Sequence, residues 1–91
     1  MRRVHVNITG RVQGVAFRAW TERTARLLNL TGWVKNLPDG SVAAVFEGPG
    51  PQVEIMLRRC TLGPPLAGVK KIAVAEEAYQ GEFTDFSIRY D

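Results

Sequence analysis

Two short stretches of this 91-residue chain hold residue types whose spacing suits work on an anion. The first is Gly10-Arg11-Val12-Gln13-Gly14-Val15-Ala16-Phe17-Arg18, a glycine-bounded loop that runs into helical periodicity. A helix start leaves its first N–H groups without intrahelical partners, and they point outward with positive partial charge. Glycines let the preceding loop curl until successive N–H groups converge on one anion. Arg18 falls in the first helical turn, where a planar guanidinium can grip two oxygens of that anion. Together these make a phosphate-sized site. It is not a P-loop, because no Lys-Ser/Thr pair follows Gly14. A glycine loop ahead of a helix also serves as a plain structural turn, and these residues alone leave both roles open.

The second stretch is Gly32-Trp33-Val34-Lys35-Asn36, followed by Leu37-Pro38-Asp39-Gly40-Ser41-Val42. Asn36 ends a β-type run, a place where asparagine is depleted. It could bond local backbone at the turn. It could equally hold a water, because a carboxamide offers a fixed acceptor and two fixed donors. Trp20 and Trp33 are expected to be core packing. Cys60 lacks the arginine six residues on that a cysteine-phosphatase loop needs, since that position is Leu66. On the apolar face of its helix Cys60 is expected to be an inert thiol. His5, the only histidine, is expected to point outward from a strand. Glu76, Glu77, Glu82 and Asp85 are expected to form a solvated edge. No metal site and no nucleophile–base pair is apparent.

The elements that must position these residues follow from periodicity. Val4 to Thr9 alternates with period two, the pattern of a half-buried strand. From Val15 to near Leu30 the period becomes helical, about four turns, with Phe17, Trp20, Thr24, Leu27 and Leu28 in one stripe. Arg18, Glu22 and Arg26 lie away from that stripe at i, i+4 and i+8, a spacing at which they could pair among themselves. Thr31–Leu37 and Ser41–Glu47 read as strands joined by the Pro38-Asp39-Gly40 turn. Pro51 opens a second helix whose apolar face is Val53, Met56, Leu57 and Cys60. Gly63-Pro64-Pro65 breaks it. Lys70–Glu76 and Thr84–Tyr90 read as two further strands, with Ile72, Val74, Phe86, Ile88 and Tyr90 as apolar positions. The order β-α-β-β-α-β plus a short final strand predicts a single α+β domain over residues 1–91. Its class is the ferredoxin-like split β-α-β, an antiparallel sheet with both helices on one face.

Composition bounds the function. With 45% hydrophobic and 23% charged residues the chain is globular rather than disordered. No apolar run is long enough to span a membrane, no signal peptide is evident, and one cysteine excludes an internal disulfide. The net charge of +3 divides into +6 over residues 1–36 and −3 over residues 37–91, which predicts an anion-seeking surface in the first part.

The two stretches together resemble the acylphosphatase family. Ile8 to Arg18 is similar to its first signature, and Gly32 to Asn36, with Gly40, Val42 and Gly48, to its second. Phe86 to Tyr90 is similar to its closing strand, so the resemblance covers essentially the whole chain. Ala43, where relatives often carry an acid, lies on the hairpin away from the motif positions. The resemblance implies a small cytoplasmic hydrolase that cleaves carboxyl-phosphate anhydrides to a carboxylate and inorganic phosphate, without metal or cofactor. It also implies Arg18 as the phosphate-binding arginine, Asn36 as the residue orienting the attacking water, and the backbone of Gln13, Gly14, Val15, Ala16 and Phe17 as the cradle. A monomer is expected, with small acyl phosphates as substrates and neither nucleic acid nor membrane as partner. The chemistry agrees: the leaving carboxylate has a conjugate acid of pKa only about 4, so no protein acid is needed. The rival function is a small basic nucleic-acid-binding module, or a non-catalytic interaction domain of the same fold. Base stacking needs exposed aromatics on the central strands, where only Phe46 is available, in phase with Val42 and Ala44.

Overall fold

The computed structural model describes residues 1–91. Its elements are β1 (Arg2–Arg11), α1 (Phe17–Leu27), β2 (Thr31–Asn36), β3 (Val42–Gly48), α2 (Gly50–Cys60), β4 (Gly68–Glu77) and β5 (Phe86–Arg89). They form one sheet in the order β4-β1-β3-β2-β5, with α1 over β2 and β5 and α2 over β1 and β3. This is the expected ferredoxin-like arrangement. Three pairings are antiparallel, but β5 joins β2 in parallel, so the sheet is mixed.

Direction explains the parallel edge. β4 runs opposite to β1 and so opposite to β2. A chain that turns back after β4 and crosses to the far edge must therefore enter β5 in the sense of β2. Glu47 holds that crossing. Its buried carboxylate accepts the amides of Gln80 (3.1 Å) and Gly81 (3.2 Å) and Arg3 Nη1 (3.2 Å) on one oxygen, Oε2.

Register places the core. Val4, Phe46 and Gly32 share one row of the helix-facing side, Val6, Ala44 and Val34 the next, and Ile8, Val42 and Asn36 the last. Each buried Val or Ile contributes about 1.5–3 kcal/mol relative to exposure. From the helices, Phe17, Ala25, Val53, Met56 and Cys60 complete this core. Gly32 is required in its row. A Cβ there would lie 1.8 Å from Val45 O and 3.3 Å from the ring of Phe86, which stacks on Phe46 at 5.5 Å.

Several expectations shift. Helix α1 begins at Phe17, two residues later than its periodicity suggests, because the backbone at Ala16 is left-handed (φ 62°). It ends at Leu27, and Leu27 at the rim of the stripe is exposed, while Thr21 and Ala25 are buried instead. Trp20 packs against the core, edge-on to Phe17 at 5.4 Å. Trp33 does not. Odd positions of β2 face away from the helices, so its indole lies on the open face of the sheet, beside His5 and under Lys35 and Arg89. Val74 is exposed because β4 is an edge strand with no helix above it. Three of the four acids near the end of the chain are ion-paired rather than freely solvated: Glu76 meets Arg2, which also meets Glu54 of α2, and Glu77 and Glu82 meet Arg3, whereas Asp85 is exposed without an ion pair, as expected. Two of the seven cations counted in residues 1–36 are thus neutralised away from the first loop. No helix is long and apolar enough to cross a membrane.

Candidate active site

Strands β1, β2 and β5 run in the same sense, so their carboxyl ends meet at one end of the sheet, the usual place for a ligand crevice. The loop after β1, the last residue of β2 and the residue after β5 converge there on the start of α1. They enclose a cleft of about 190 Å³ lined by Val12, Gly14, Ala16, Phe17, Arg18, Ala19, Asn36, Ile88 and Tyr90. That is below the ~300–1,000 Å³ of drug-sized sites and suits a compact ligand.

The loop is shaped to present donors. Gly14 (φ 76°) and Ala16 (φ 62°) both adopt left-handed backbone, whereas Val15 between them does not. Such alternation turns successive N–H groups toward one side. For Ala16 it costs roughly 1–2 kcal/mol of steric strain, which the surrounding fold must offset. The amides of Gly14, Val15 and Ala16 donate to no acceptor in the protein. The first α1 amide with an upstream acceptor is that of Trp20, which donates to Ala16 O at 3.0 Å. Helix α1 has no side-chain cap and no acid in its first turn, so nothing offsets its positive end.

Gln13 fixes this loop in place. Its Nε2 donates to Leu37 O and to Ser41 O, both at 2.8 Å, and so ties the loop to the β2–β3 hairpin that carries Asn36. Neither Gln13 nor Val15 lines the cleft, whereas Gly14, Ala16, Phe17 and Arg18 do.

Arg18 makes no ion pair. Of the helical series Arg18, Glu22, Arg26, only Glu22 and Arg26 approach, at 3.5 Å, while the Arg18 guanidinium lies over the Tyr90 ring with Cζ 5.0 Å from its centroid. Asn36 shares the helix-facing row of Ile8 and Val42, and its carboxamide has no protein partner: Oδ1 is buried and accepts nothing. A buried unpartnered amide oxygen costs about 1–3 kcal/mol. That cost is expected where a side chain is kept for a ligand. Cys60 lies in the core, with its thiol pushed up to about 12 by burial, and takes no part in the cleft. His5 points outward, as expected.

Ile88 and Tyr90 are cleft residues that sequence reasoning took for ordinary strand positions. The available signal was the Phe86, Ile88, Tyr90 alternation, but its meaning depended on β5 lying beside β2, which no local pattern specifies.

Fold and cleft together define an α+β ferredoxin-like domain with a cleft and unpartnered loop amides at a helix N-terminus. The acylphosphatase family model matches residues 4–88. The chain is 52% identical to an acylphosphatase of Syntrophus aciditrophicus, over all of this chain and 95% of that one. It is 53% identical to an acylphosphatase of Methylococcus capsulatus, over all of this chain and 99% of that one. The crystal structure of acylphosphatase from Bacillus subtilis superposes with a TM-score of 0.95 at 36% identity, covering 99% of this chain and 100% of that one. The chain belongs to the acylphosphatase family. These likenesses support a hydrolase and not the nucleic-acid-binding or non-catalytic alternative.

Proposed function

We propose that the protein hydrolyses small acyl phosphates at this cleft, with Arg18 gripping the phosphoryl group and Asn36 aligning the attacking water. The loop from Gln13 to Phe17 forms the cradle, through the backbone amides of its cleft-facing part. Water adds to phosphorus as the P–O bond to the acyl group breaks, and the electron pair leaves on a carboxylate that needs no protonation. The proton released by the water passes to an oxygen of the phosphoryl group, which gives dihydrogen phosphate without a protein base. Rate enhancement then comes from position and from fixed donors around the equatorial oxygens.

The observation that carries this proposal is the meeting of Arg18 and Asn36, on different elements, in one cleft floored by unpartnered amides. Its test is phosphate release from benzoyl phosphate in the presence of EDTA. Turnover under those conditions is expected, and its absence would overturn the metal-free mechanism. We propose further that the protein acts as a single-domain cytoplasmic monomer without nucleic-acid or membrane partners. A lone buried thiol suits a reducing compartment, and the exposed large apolar side chains lie on α1 (Leu27), the α2–β4 connection (Leu62 and Leu66) and β4 (Val74) rather than on one element. Sedimentation at the native mass would agree with the monomer, and a dimer mass would refute it.

A further inference from the structure

The geometry points to Tyr90 as a positioning residue for Arg18: its ring holds the guanidinium in the cleft while leaving charge and donors to the substrate. This rests on the proposed role of Arg18 and extends it to a residue with no part in the chemistry so far.

Arg18 Cζ stands 5.0 Å from the Tyr90 ring centroid, inside the ~6 Å range of a cation–π attraction. Arg18 has no other restraint on its head group, since it forms neither an ion pair nor a hydrogen bond within the protein. The one acid within reach along α1, Glu22, approaches Arg26 instead. A free arginine tip would sample many rotamers, and ordering it on substrate binding would weaken binding. A carboxylate could order it too. That carboxylate would also cancel the positive charge, occupy two of the five N–H donors and repel the phosphoryl dianion. An aromatic ring orders the cation without doing any of these. It carries no net charge and offers no lone pair to a guanidinium N–H.

The position of Tyr90 suits this duty and little else. It follows directly on β5, is 81% exposed and lies outside the core. It nevertheless lines the same cleft as Arg18 and Asn36.

The experiment is a double-variant cycle of Tyr90→Leu and Arg18→Gln on kcat/KM for benzoyl phosphate, with Tyr90→Phe as the conservative control. Inhibition by inorganic phosphate and the thermal midpoint are measured for each single variant. Tyr90→Leu should weaken phosphate binding roughly two- to fivefold, the equivalent of ~0.5–1 kcal/mol at 1.4 kcal/mol per factor of ten. Its thermal midpoint should match wild type. Tyr90→Phe should restore binding, and in the Arg18→Gln background the Tyr90→Leu effect should vanish. Wild-type behaviour of Tyr90→Leu, or an effect that persists undiminished without Arg18, would overturn the inference. So would Phe behaving like Leu. If Arg18→Gln itself leaves phosphate inhibition unchanged, the proposed site fails and this inference with it. If Arg18→Gln abolishes inhibition and Tyr90→Leu does nothing, only the role of Tyr90 falls.

Discussion

Replacing Gln13 by Met would keep side-chain length and remove the two donated bonds that tie the cradle to the hairpin. Both bonds are 2.8 Å and partly buried, to Leu37 O and Ser41 O. Neutral hydrogen bonds contribute about 0.5–1.5 kcal/mol each, so the pair sets a ceiling of ~3 kcal/mol. The loss should fall well below that ceiling, because neither carbonyl is orphaned. Leu37 O still accepts the Gly40 amide (3.1 Å), and Ser41 O still accepts the Leu37 amide (2.9 Å). A destabilisation of about 1–2 kcal/mol follows. For a domain of this size that lowers the thermal midpoint by roughly 4–15 °C. Activity should suffer more than stability. The same bonds fix the distance between the loop amides and Asn36, and a displacement near 1 Å between reacting groups can cost about a hundredfold in rate. Circular-dichroism melting and benzoyl phosphate kinetics on Gln13→Met, at a temperature where it is fully folded, check both parts. A midpoint within a degree of wild type would refute the tether. A lowered midpoint with unchanged kcat/KM would refute its role in aligning the site.

Other perturbations separate the remaining duties. Arg18→Lys keeps the charge but loses the fork, so kcat/KM for benzoyl phosphate should fall by the value of one charge-assisted hydrogen bond, about 1.5–3 kcal/mol or roughly 10–150-fold; near-normal turnover would remove Arg18 from its role. Asn36→Ala should fold with unchanged or slightly higher stability, because the amide it deletes has no protein partner, and should still be inhibited by phosphate while kcat drops on the order of a hundredfold. Equal loss of inhibition and turnover would instead assign Asn36 a structural duty. Cys60, fully buried with its thiol raised to about 12, should resist iodoacetamide at pH 8 until urea unfolds the chain; modification at the rate of a free thiol would contradict its burial.

Much of this molecule could be read from local patterns. Period-two alternation in Val4–Thr9, the Pro38-Asp39-Gly40 turn and the Val53, Met56, Cys60 spacing each depend on near neighbours, and each element forms where expected. Arg18 and Asn36 stand out locally, a cation in the first turn of a helix and an amide at a strand end, but local pattern leaves their roles open and the roles proposed for them come from the resemblance to the acylphosphatase family. What stayed hidden is long-range. The face on which Trp33 lies depends on β2 register, and the pairing of Arg2 and Arg3 with acids more than seventy residues away depends on β4 lying beside β1. The left-handed backbone at Ala16 was hidden for another reason. Alanine avoids that conformation in isolation, so only the folded surroundings impose it.

β5 is four residues long and lies at a sheet edge, held on one side only by its parallel pairing with β2 over Gly32–Lys35, with the Asp85 carbonyl on the Gly32 amide, the Phe86 carbonyl on Arg26 and the stacked Phe46–Phe86 rings beside it. Peeling it away would carry off Ile88 and Tyr90, one wall of the cleft, while the other four strands kept their pairings with one another. Partial opening of this kind requires less free energy than melting the whole domain. Catalysis should therefore fade on gentle warming before the far-ultraviolet signal changes, which makes turnover a gauge of how firmly the last strand is docked.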